Sequence, residues 1–200
     1  MRLDKTRKRS IACATAAGCH AIGVCWPILE TLLSGKVQAY RRWFDYEKDS
    51  HEKVLASLTS TSEHLRSAEG FQKSIDLVAH IVAARLMWLQ RFGSVEKNDP
   101  IELFPRDTGL SELAARLDKM HSAWSRYFDQ LTETELSRVF TYTSYEGKRF
   151  ANVVEDILTQ LFGHSWYHRG QIALLLRQIG AEPAATDFVF WTREPLDHSE

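Results

Sequence analysis

The sequence has few cysteines, few prolines and no long apolar run, and each shortage argues against a class of protein. Its 200 residues include five prolines and three cysteines. The cysteines, Cys13, Cys19 and Cys25, lack the close pairing of a zinc site. Because the rest of the chain has none, we exclude a disulfide-built fold and expect a reducing, cytoplasmic location. No stretch reaches the roughly 18 uncharged apolar residues of a membrane span, so we expect no membrane partner.

Neither sign of charge dominates the chain. Lys and Arg total 25, Asp and Glu total 26, and the formal net charge is −1. A protein that coats nucleic acid would need a large excess of Lys and Arg, so we expect no nucleic-acid partner. Hydrophobic residues make up 44% of the chain, which is enough for a core at this length. The unusual feature is histidine, which occurs eight times.

The first 30 residues differ in composition from the rest of the chain. Basic residues crowd the first nine positions, and small residues then run from Ile11 to Val24. The order is that of an export signal, but the apolar part is rich in Ala and contains His20 where such a signal would be rich in Leu. We therefore expect residues 1–30 to be a poorly ordered extension or the product of a misassigned start, with export as the alternative.

Apolar residues recur every three or four positions in four later segments, which indicates helices. The predicted helices cover about 32–58, 71–92, 111–131 and 151–179, with Ser111 as the cap of the third. Gly180 and Pro183 end the last helix. Residues 93–109 contain two prolines and two glycines, so we expect a loop there.

A strand-forming segment precedes the last predicted helix. Val139 to Tyr145 is rich in Thr, Tyr and Phe, and Glu146-Gly147 supplies a turn, which together predict a small β-hairpin. An aromatic patch at 188–191 is expected to pack back on the helices. The predicted fold is all-α, a four-helix bundle with a small β-hairpin before the last helix, formed by residues 31–195.

Two histidines on the last predicted helix are spaced to share a ligand. His164 and His168 are four residues apart, which places their Cβ atoms about 5–6 Å apart on one helix face. Both rings can then reach one metal at about 2.0–2.1 Å from each nitrogen. The face continues through Leu161, Ile172 and Leu175, so we expect it to point inward. Because such pairs also arise by chance on helices, this pair alone does not establish a metal site.

A third histidine falls on the apolar side of the second predicted helix. His80 lies near Leu77 and Ala84, where a hydrogen-bonded core histidine is the alternative to a ligand. Three imidazoles clustered without a metal would, however, leave several buried nitrogens unsatisfied. We therefore predict that His80, His164 and His168 bind one divalent metal. Three neutral histidines leave a position open for water or substrate, as in catalytic zinc sites.

The other histidines are not assigned as ligands. His51 is in phase with Phe44 on the first predicted helix, and we expect it to be exposed or hydrogen-bonded in the core, with a place beside the metal as the alternative. His64, His121 and His198 lie beside polar or flexible sequence, so we expect them on the surface. Motifs for other chemistries, such as a nucleophile elbow, a phosphate-binding glycine loop or the Glu-x-x-His pairs of a di-iron bundle, are missing.

The segments around the predicted ligands are similar to two motifs of a known family. His164-Ser165-Trp166-Tyr167-His168-Arg169-Gly170-Gln171, with the run IALLLRQIG after it, and His80-Ile81-Val82-Ala83-Ala84 resemble the last-helix and second-helix motifs of the DinB family of metal-binding four-helix bundles. The resemblance covers about residues 33–190 and implies His80, His164 and His168 as the metal triad. Arg85 stands where the family often has an acidic residue, and Tyr167 where it often has a further histidine.

The resemblance also implies a function. We expect a Zn²⁺ or Ni²⁺ site, since imidazole suits both ions. The leading hypothesis is a metal-dependent hydrolase, or a transferase that uses a low-molecular-weight thiol, with a small-molecule substrate and a homodimer as the implied partners. Arg169 and Gln171 are expected to orient substrate or ligands, or simply to pack on the helix surface. The alternative is a non-enzymatic stress-response protein whose metal serves stability or partner binding, because fold does not fix function.

Overall fold

The computed structural model describes residues 35–96 and 100–195. The elements in chain order are α1 (Lys36–Ser60), a short 3₁₀ turn (Glu63–Leu65), α2 (Glu69–Phe92), α3 (Leu110–Asp129), α4 (Glu133–Ser137), β1 (Val139–Thr143), β2 (Arg149–Val153), α5 (Val154–Gln178) and α6 (Phe188–Thr192). Four long helices with a hairpin before the last of them confirm the predicted fold class. Predictions about residues 1–30, the three cysteines and His198 lie outside the described residues.

The apolar faces of the four long helices meet in one core. Helix α2 packs against α3 and α5, and α1 packs against the same two helices. Trp124 of α3 and Phe162 of α5 are almost fully buried there, and each large apolar side chain so removed from water stabilises the fold by about 1.5–3 kcal/mol. Helix α2 is buried continuously from Val78 to Arg85, so its middle turns hold two polar residues, His80 and Arg85, inside the bundle.

Helices α2 and α5 run antiparallel and approach each other closely. Gly70 at the start of α2 lies against Ile179 just after α5, where an added Cβ would come within 3.0 Å of the Ile179 side chain. One glycine therefore permits a close approach of the two helix ends. Further along the same pair of helices, His80 faces His164, so this packing also sets the spacing between the two histidine-bearing segments.

The hairpin delivers the chain directly into α5. Strands β1 and β2 pair antiparallel from Val139–Val153 to Thr143–Arg149. Gly147 adopts the left-handed φ of +79° that the turn requires. Residues 151–153, which the helical pattern placed in the last helix, belong to β2, so the predicted helix start was too early. These three residues follow the helical pattern of apolar positions but pair with β1 instead. Strand β2 is the only described strand that pairs with β1.

The start of α3 also differs from its prediction. The N-cap position belongs to Gly109, no side chain caps the helix, and Ser111 lies inside the first turn, so the predicted Ser111 cap was wrong.

Helix α2 ends at a glycine, because Gly93 adopts a left-handed φ of +74° and its N–H donates a hydrogen bond to the last turn of the helix.

The aromatic segment after α5 packs back on the bundle, as predicted. Phe188 and Trp191 of α6 contact Tyr46 of α1, with ring centroids 5.0 and 5.8 Å apart. The Tyr46 hydroxyl donates a hydrogen bond to the backbone carbonyl of Thr186, which fixes the approach of this segment. Among the described helices, none combines the length and the apolar character that crossing a membrane requires.

Candidate metal centre

The structure brings the three predicted ligands together at one point between α2 and α5. The Nε2 atom of His164 lies 3.1 Å from Nε2 of His80 and 3.0 Å from Nε2 of His168. One ligand atom from each of the three residues lies within 4.8 Å of the other two. The i,i+4 spacing on α5 therefore places two rings on one face, and the antiparallel packing of α2 adds the third.

Two of these rings are held in a defined tautomer by neighbours on their other side. His80 Nδ1 lies 2.6 Å from the backbone carbonyl of Leu103, and His168 Nδ1 lies 2.7 Å from Oε1 of Gln171. Because both oxygens can only accept, each Nδ1 carries the hydrogen and donates it. The Nε2 atoms of His80 and His168 are then lone-pair acceptors, which is the arrangement found around metal-binding histidines. The side chain of Gln171 thus orients one candidate ligand.

The donor set fits a divalent cation. The Nε2 atoms of His80 and His168 both offer lone pairs to Nε2 of His164. If Nε2 of His164 carries a hydrogen, it can donate that hydrogen to only one of them, and the lone pair of the other nitrogen has no donor. A cation about 2.0–2.1 Å from each nitrogen would satisfy all three lone pairs. Burial and the neighbouring rings lower the pKa of His164 to about 4, and burial together with His80 lowers the pKa of His168. Both rings are therefore neutral at pH 7, as metal binding requires.

The loop between α2 and α3 covers one side of the cluster. Phe104 stacks on the ring of His80, with centroids 4.8 Å apart and planes within 9°. The loop also contacts α2 one turn before His80, where the N–H of Thr108 donates a hydrogen bond of 3.2 Å to Asp76. The sequence predicted this loop but not its role, since contacts across 23 or more residues leave no local pattern.

A cavity of about 520 Å³ lies directly against His80 and His168. Its apolar walls include Leu77, Phe104 and Leu174. The charged residues of the lining are Lys73, Asp76 and Arg106. Phe104 is 68% exposed and Leu174 is 55% exposed, so both present apolar surface to the space. A small molecule in this cavity would contact two of the three histidines.

Behind the histidines, three charged residues are buried together. Arg85 of α2 donates to the carboxylate of Glu47 on α1, and Nη1 of Arg169 on α5 lies 3.8 Å from the same carboxylate. A second Arg169 nitrogen, Nη2, donates to the Tyr46 hydroxyl at 2.7 Å. Burial lowers the pKa of Arg85, while Glu47 acts in the opposite direction. Arg169 is buried and does not line the cavity beside the histidines, so the expectation that it packs on the helix surface was wrong. That it orients substrate or ligands stays a prediction.

The remaining described histidines divide between core and surface. His51 is buried, and its Nδ1 lies 3.0 Å from Nε2 of His121, with the two rings stacked within 10°. His51 is thus hydrogen-bonded in the core, which is one of the two environments expected for it. The surface prediction for His121 was wrong, because α1 and α3 pack together and half-bury it against His51. His64 is exposed, as predicted.

Comparisons with known proteins agree with the resemblance of the histidine motifs. The sequence pattern of the DinB family matches residues 33–196, which is most of the chain. A curated relative, Protein DinB from Bacillus subtilis (strain 168), is 24% identical over 138 residues, which cover 67% of this chain and 80% of that protein. The matched region contains His80, His164 and His168.

Proposed function

The chain belongs to the DinB family, and from this premise we propose that it is a metal-dependent enzyme that acts on a small molecule. The proposed reaction is a hydrolysis or the transfer of a low-molecular-weight thiol. His80, His164 and His168 hold the metal in this proposal, as Zn²⁺ or Ni²⁺. When bound, such an ion lowers the pKa of a water or thiol ligand and so supplies a nucleophile near neutral pH.

The cavity against His80 and His168 is the observation that carries this proposal. Structural metal sites are closed by four protein ligands, whereas catalytic sites keep access for a small molecule. A volume of about 520 Å³ lies within the range of small-molecule sites, which is roughly 300–1,000 Å³. The apolar walls, Leu77, Phe104 and Leu174, would displace water around a ligand placed there.

The charged groups of the cavity favour a reaction that needs no separate general base. Asp76 is the one carboxylate among the described residues that line the cavity. Its Oδ1 already accepts hydrogen bonds from Gln72 and from the N–H of Thr108. These bonds give Asp76 a structural role, since they tie α2 to the loop at Thr108, and no other carboxylate of the described lining is left to act as a general base. This favours a nucleophile with an intrinsically low pKa, such as a thiol.

A second candidate function is metal-dependent binding of a partner without catalysis. Trp166 and Tyr167 on α5 are 42% and 65% exposed, and the Tyr167 ring contacts His168 at 5.1 Å. Exposed aromatic side chains of this kind are enriched at protein interfaces. The homodimer implied by the family resemblance stays a prediction.

The first experiment tests the site. The purified chain is loaded with Zn²⁺ or Ni²⁺, desalted and analysed for bound metal, beside His168→Ala and the matched surface control His64→Ala. We expect about one ion per chain in the original protein and the control, and a strong loss in His168→Ala. Unchanged metal content in His168→Ala would contradict the proposed triad.

The second experiment tests the reaction. Metal-loaded protein is incubated with a panel of thiols and electrophiles, and with a panel of ester and amide substrates. Turnover that disappears on chelation and in His168→Ala, but persists in His64→Ala, would support the enzyme. Stoichiometric metal with no turnover across both panels would favour the binding function.

A further inference from the structure

We propose that the cavity beside the histidines takes a ligand with an apolar body and a carboxylate or phosphate group, and that Arg106 binds this anionic group. The inference rests on the proposed function, because it places the reactive end of the ligand at the histidines. It adds the substrate class and a specificity-determining residue, neither of which follows from the triad.

Among the described residues that line the cavity, Arg106 is the cation without an ion-pair partner, and the residue is exposed to solvent. The other cation in the lining, Lys73, already has a partner, because it forms an exposed ion pair of 2.6 Å with Glu69 one turn earlier on α2. Within residues 35–96 and 100–195, no carboxylate lies within ion-pair distance of Arg106, and its guanidinium makes no hydrogen bond to another described side chain. The lone carboxylate of the lining, Asp76, is held by Gln72 and Thr108 instead. A planar guanidinium without a partner suits a carboxylate or phosphate, which it can bind through two parallel hydrogen bonds.

The backbone beside Arg106 is held in an uncommon conformation. Asp107 has a φ of +55°, the one positive φ of a non-glycine residue in the described chain. Such residues persist where surrounding contacts hold them, and they cluster at ligand sites. Here the hydrogen bond from the N–H of Thr108 to Asp76 supplies that restraint. The backbone at Arg106 is therefore constrained from its C-terminal side.

The same loop is fixed to the candidate metal site from the other side. Leu103 accepts the hydrogen bond of His80 at 2.6 Å, and the Phe104 ring stacks on the ring of His80. Arg106 follows Phe104 by two residues. Because both flanks of Arg106 are tied to α2, the distance from its backbone to the histidines is defined by the fold. A ligand that spans from the histidines to Arg106 should therefore be selected by length.

The wall between these two ends is apolar. Phe104 and Leu174 are both exposed and line this space, and Leu77 completes that wall. Exposed apolar surface beside an unpaired cation matches a ligand with a hydrocarbon body and an anionic end. A fully hydrophilic anion would leave this surface unused.

The test uses a series of thiols that carry a carboxylate at the other end, with two to five methylene groups between. Each is paired with the neutral amide of the same length. The full chain is used with Cys13→Ser, Cys19→Ser and Cys25→Ser, so that its own thiols do not contribute, and is loaded with Co²⁺. Thiol binding is followed by the absorption of the cobalt–thiolate bond. We expect at least one carboxylate to bind about tenfold more tightly than its amide, since a hydrogen bond from a guanidinium to a carboxylate is stronger than one to a neutral amide.

Variants of the cation isolate its contribution. Arg106→Met should remove the preference for the carboxylate. Arg106→Lys should keep part of it, because lysine supplies the positive charge but not the two parallel hydrogen bonds of a guanidinium. Arg149→Ala on the exposed hairpin is the matched control and should keep the full preference. Equal affinities of carboxylate and amide at every length would overturn the inference, while the thiol absorption itself would still support the proposed metal site.

A second measurement decides the inference if no thiol binds to the metal. In the metal-free chain, the reaction of Arg106 with phenylglyoxal is followed by mass spectrometry in the presence of 4-phenylbutyrate or of 4-phenylbutanamide. Protection of Arg106 by the carboxylate alone supports the anionic subsite, even if the missing thiol absorption contradicts the proposed function. Equal modification with both compounds overturns it.

Discussion

His80 donates its Nδ1–H to the backbone carbonyl of Leu103 across 2.6 Å. This bond leaves Nε2 as the free acceptor that faces His164, so a loop residue decides which nitrogen of a helix residue is available. On α5, Gln171 has the same effect on His168. The two partners differ in one respect, because the amide of Gln171 can be removed by substitution and the carbonyl of Leu103 cannot.

Removing the side chain of Gln171 should weaken metal binding without abolishing it. In Gln171→Ala, His168 loses the acceptor that fixes its tautomer and ring orientation, and such losses lower metal affinity about 10–100-fold. The affinity is measured by competition with a chelator of known strength. Gln178→Ala, an exposed glutamine at the end of the same helix, is the control and should match the original chain. Equal affinities in all three proteins would show that Gln171 does not orient a ligand.

Metal should stabilise the fold through the triad. A ligand that binds only the folded chain adds about 2.7 kcal/mol to the free energy of unfolding at a concentration one hundred times its Kd. In a chain of this size that corresponds to a rise in Tm of roughly 5–10 °C. Thermal unfolding with and without Zn²⁺ should show this rise in the original protein and in His64→Ala. A similar rise in His168→Ala would place the bound ion somewhere else.

The pair of His51 and His121 should make the fold sensitive to acid. Burial lowers the pKa of His51 well below its ordinary value of 6.5, and burial lowers that of His121 to about 4. The folded chain therefore favours the neutral rings, while the unfolded chain takes up protons below about pH 6.5. The stability that the pair contributes is complete above pH 6.5 and is lost as the pH falls from there towards 4.

His121 should steepen the dependence of the free energy of unfolding on pH. The free energy of unfolding of the metal-free chain is measured in urea between pH 7.5 and pH 5. His121 should contribute a loss of about 1–2 kcal/mol over this range, after allowance for its partial exposure. His121→Gln should show a shallower loss by that amount, whatever its stability at pH 7.5. Parallel curves for the two proteins would assign the acid sensitivity to other groups.

The sequence predicted the parts of the site that depend on local periodicity. The i,i+4 spacing of His164 and His168 and the apolar phase of His80 are properties of single helices, and the structure unites the three residues. The contributions of Leu103 and Phe104 were not predictable, because they depend on how a long loop folds back on α2. No periodic pattern encodes that path.

The buried charges were missed for a different reason. Arg85 lies within a continuous apolar run, so its helical phase alone pointed to the interior. Its partner Glu47 lies on another helix, and only the packing of α1 against the other long helices reveals the pair. An arginine on an otherwise apolar helix face therefore indicates a buried ion pair, because arginine is rarely buried without a partner. The sequence alone does not show which residue the partner is.

Glu47 should be among the most costly carboxylates of the described chain to remove. It faces both Arg85 and Arg169 in the core, so Glu47→Ala leaves two buried guanidinium groups without a counter-charge. Breaking a buried ion pair from one side typically costs about 3–5 kcal/mol, because the remaining charge stays desolvated. The matched control is Glu112→Ala, which breaks the exposed pair with Arg116 on α3 and should cost at most about 0.5 kcal/mol. Chemical unfolding at pH 7.5 measures both. If the two variants lose the same stability, water must already reach the arginines, and α1 would not be held to α2 and α5 by this pair.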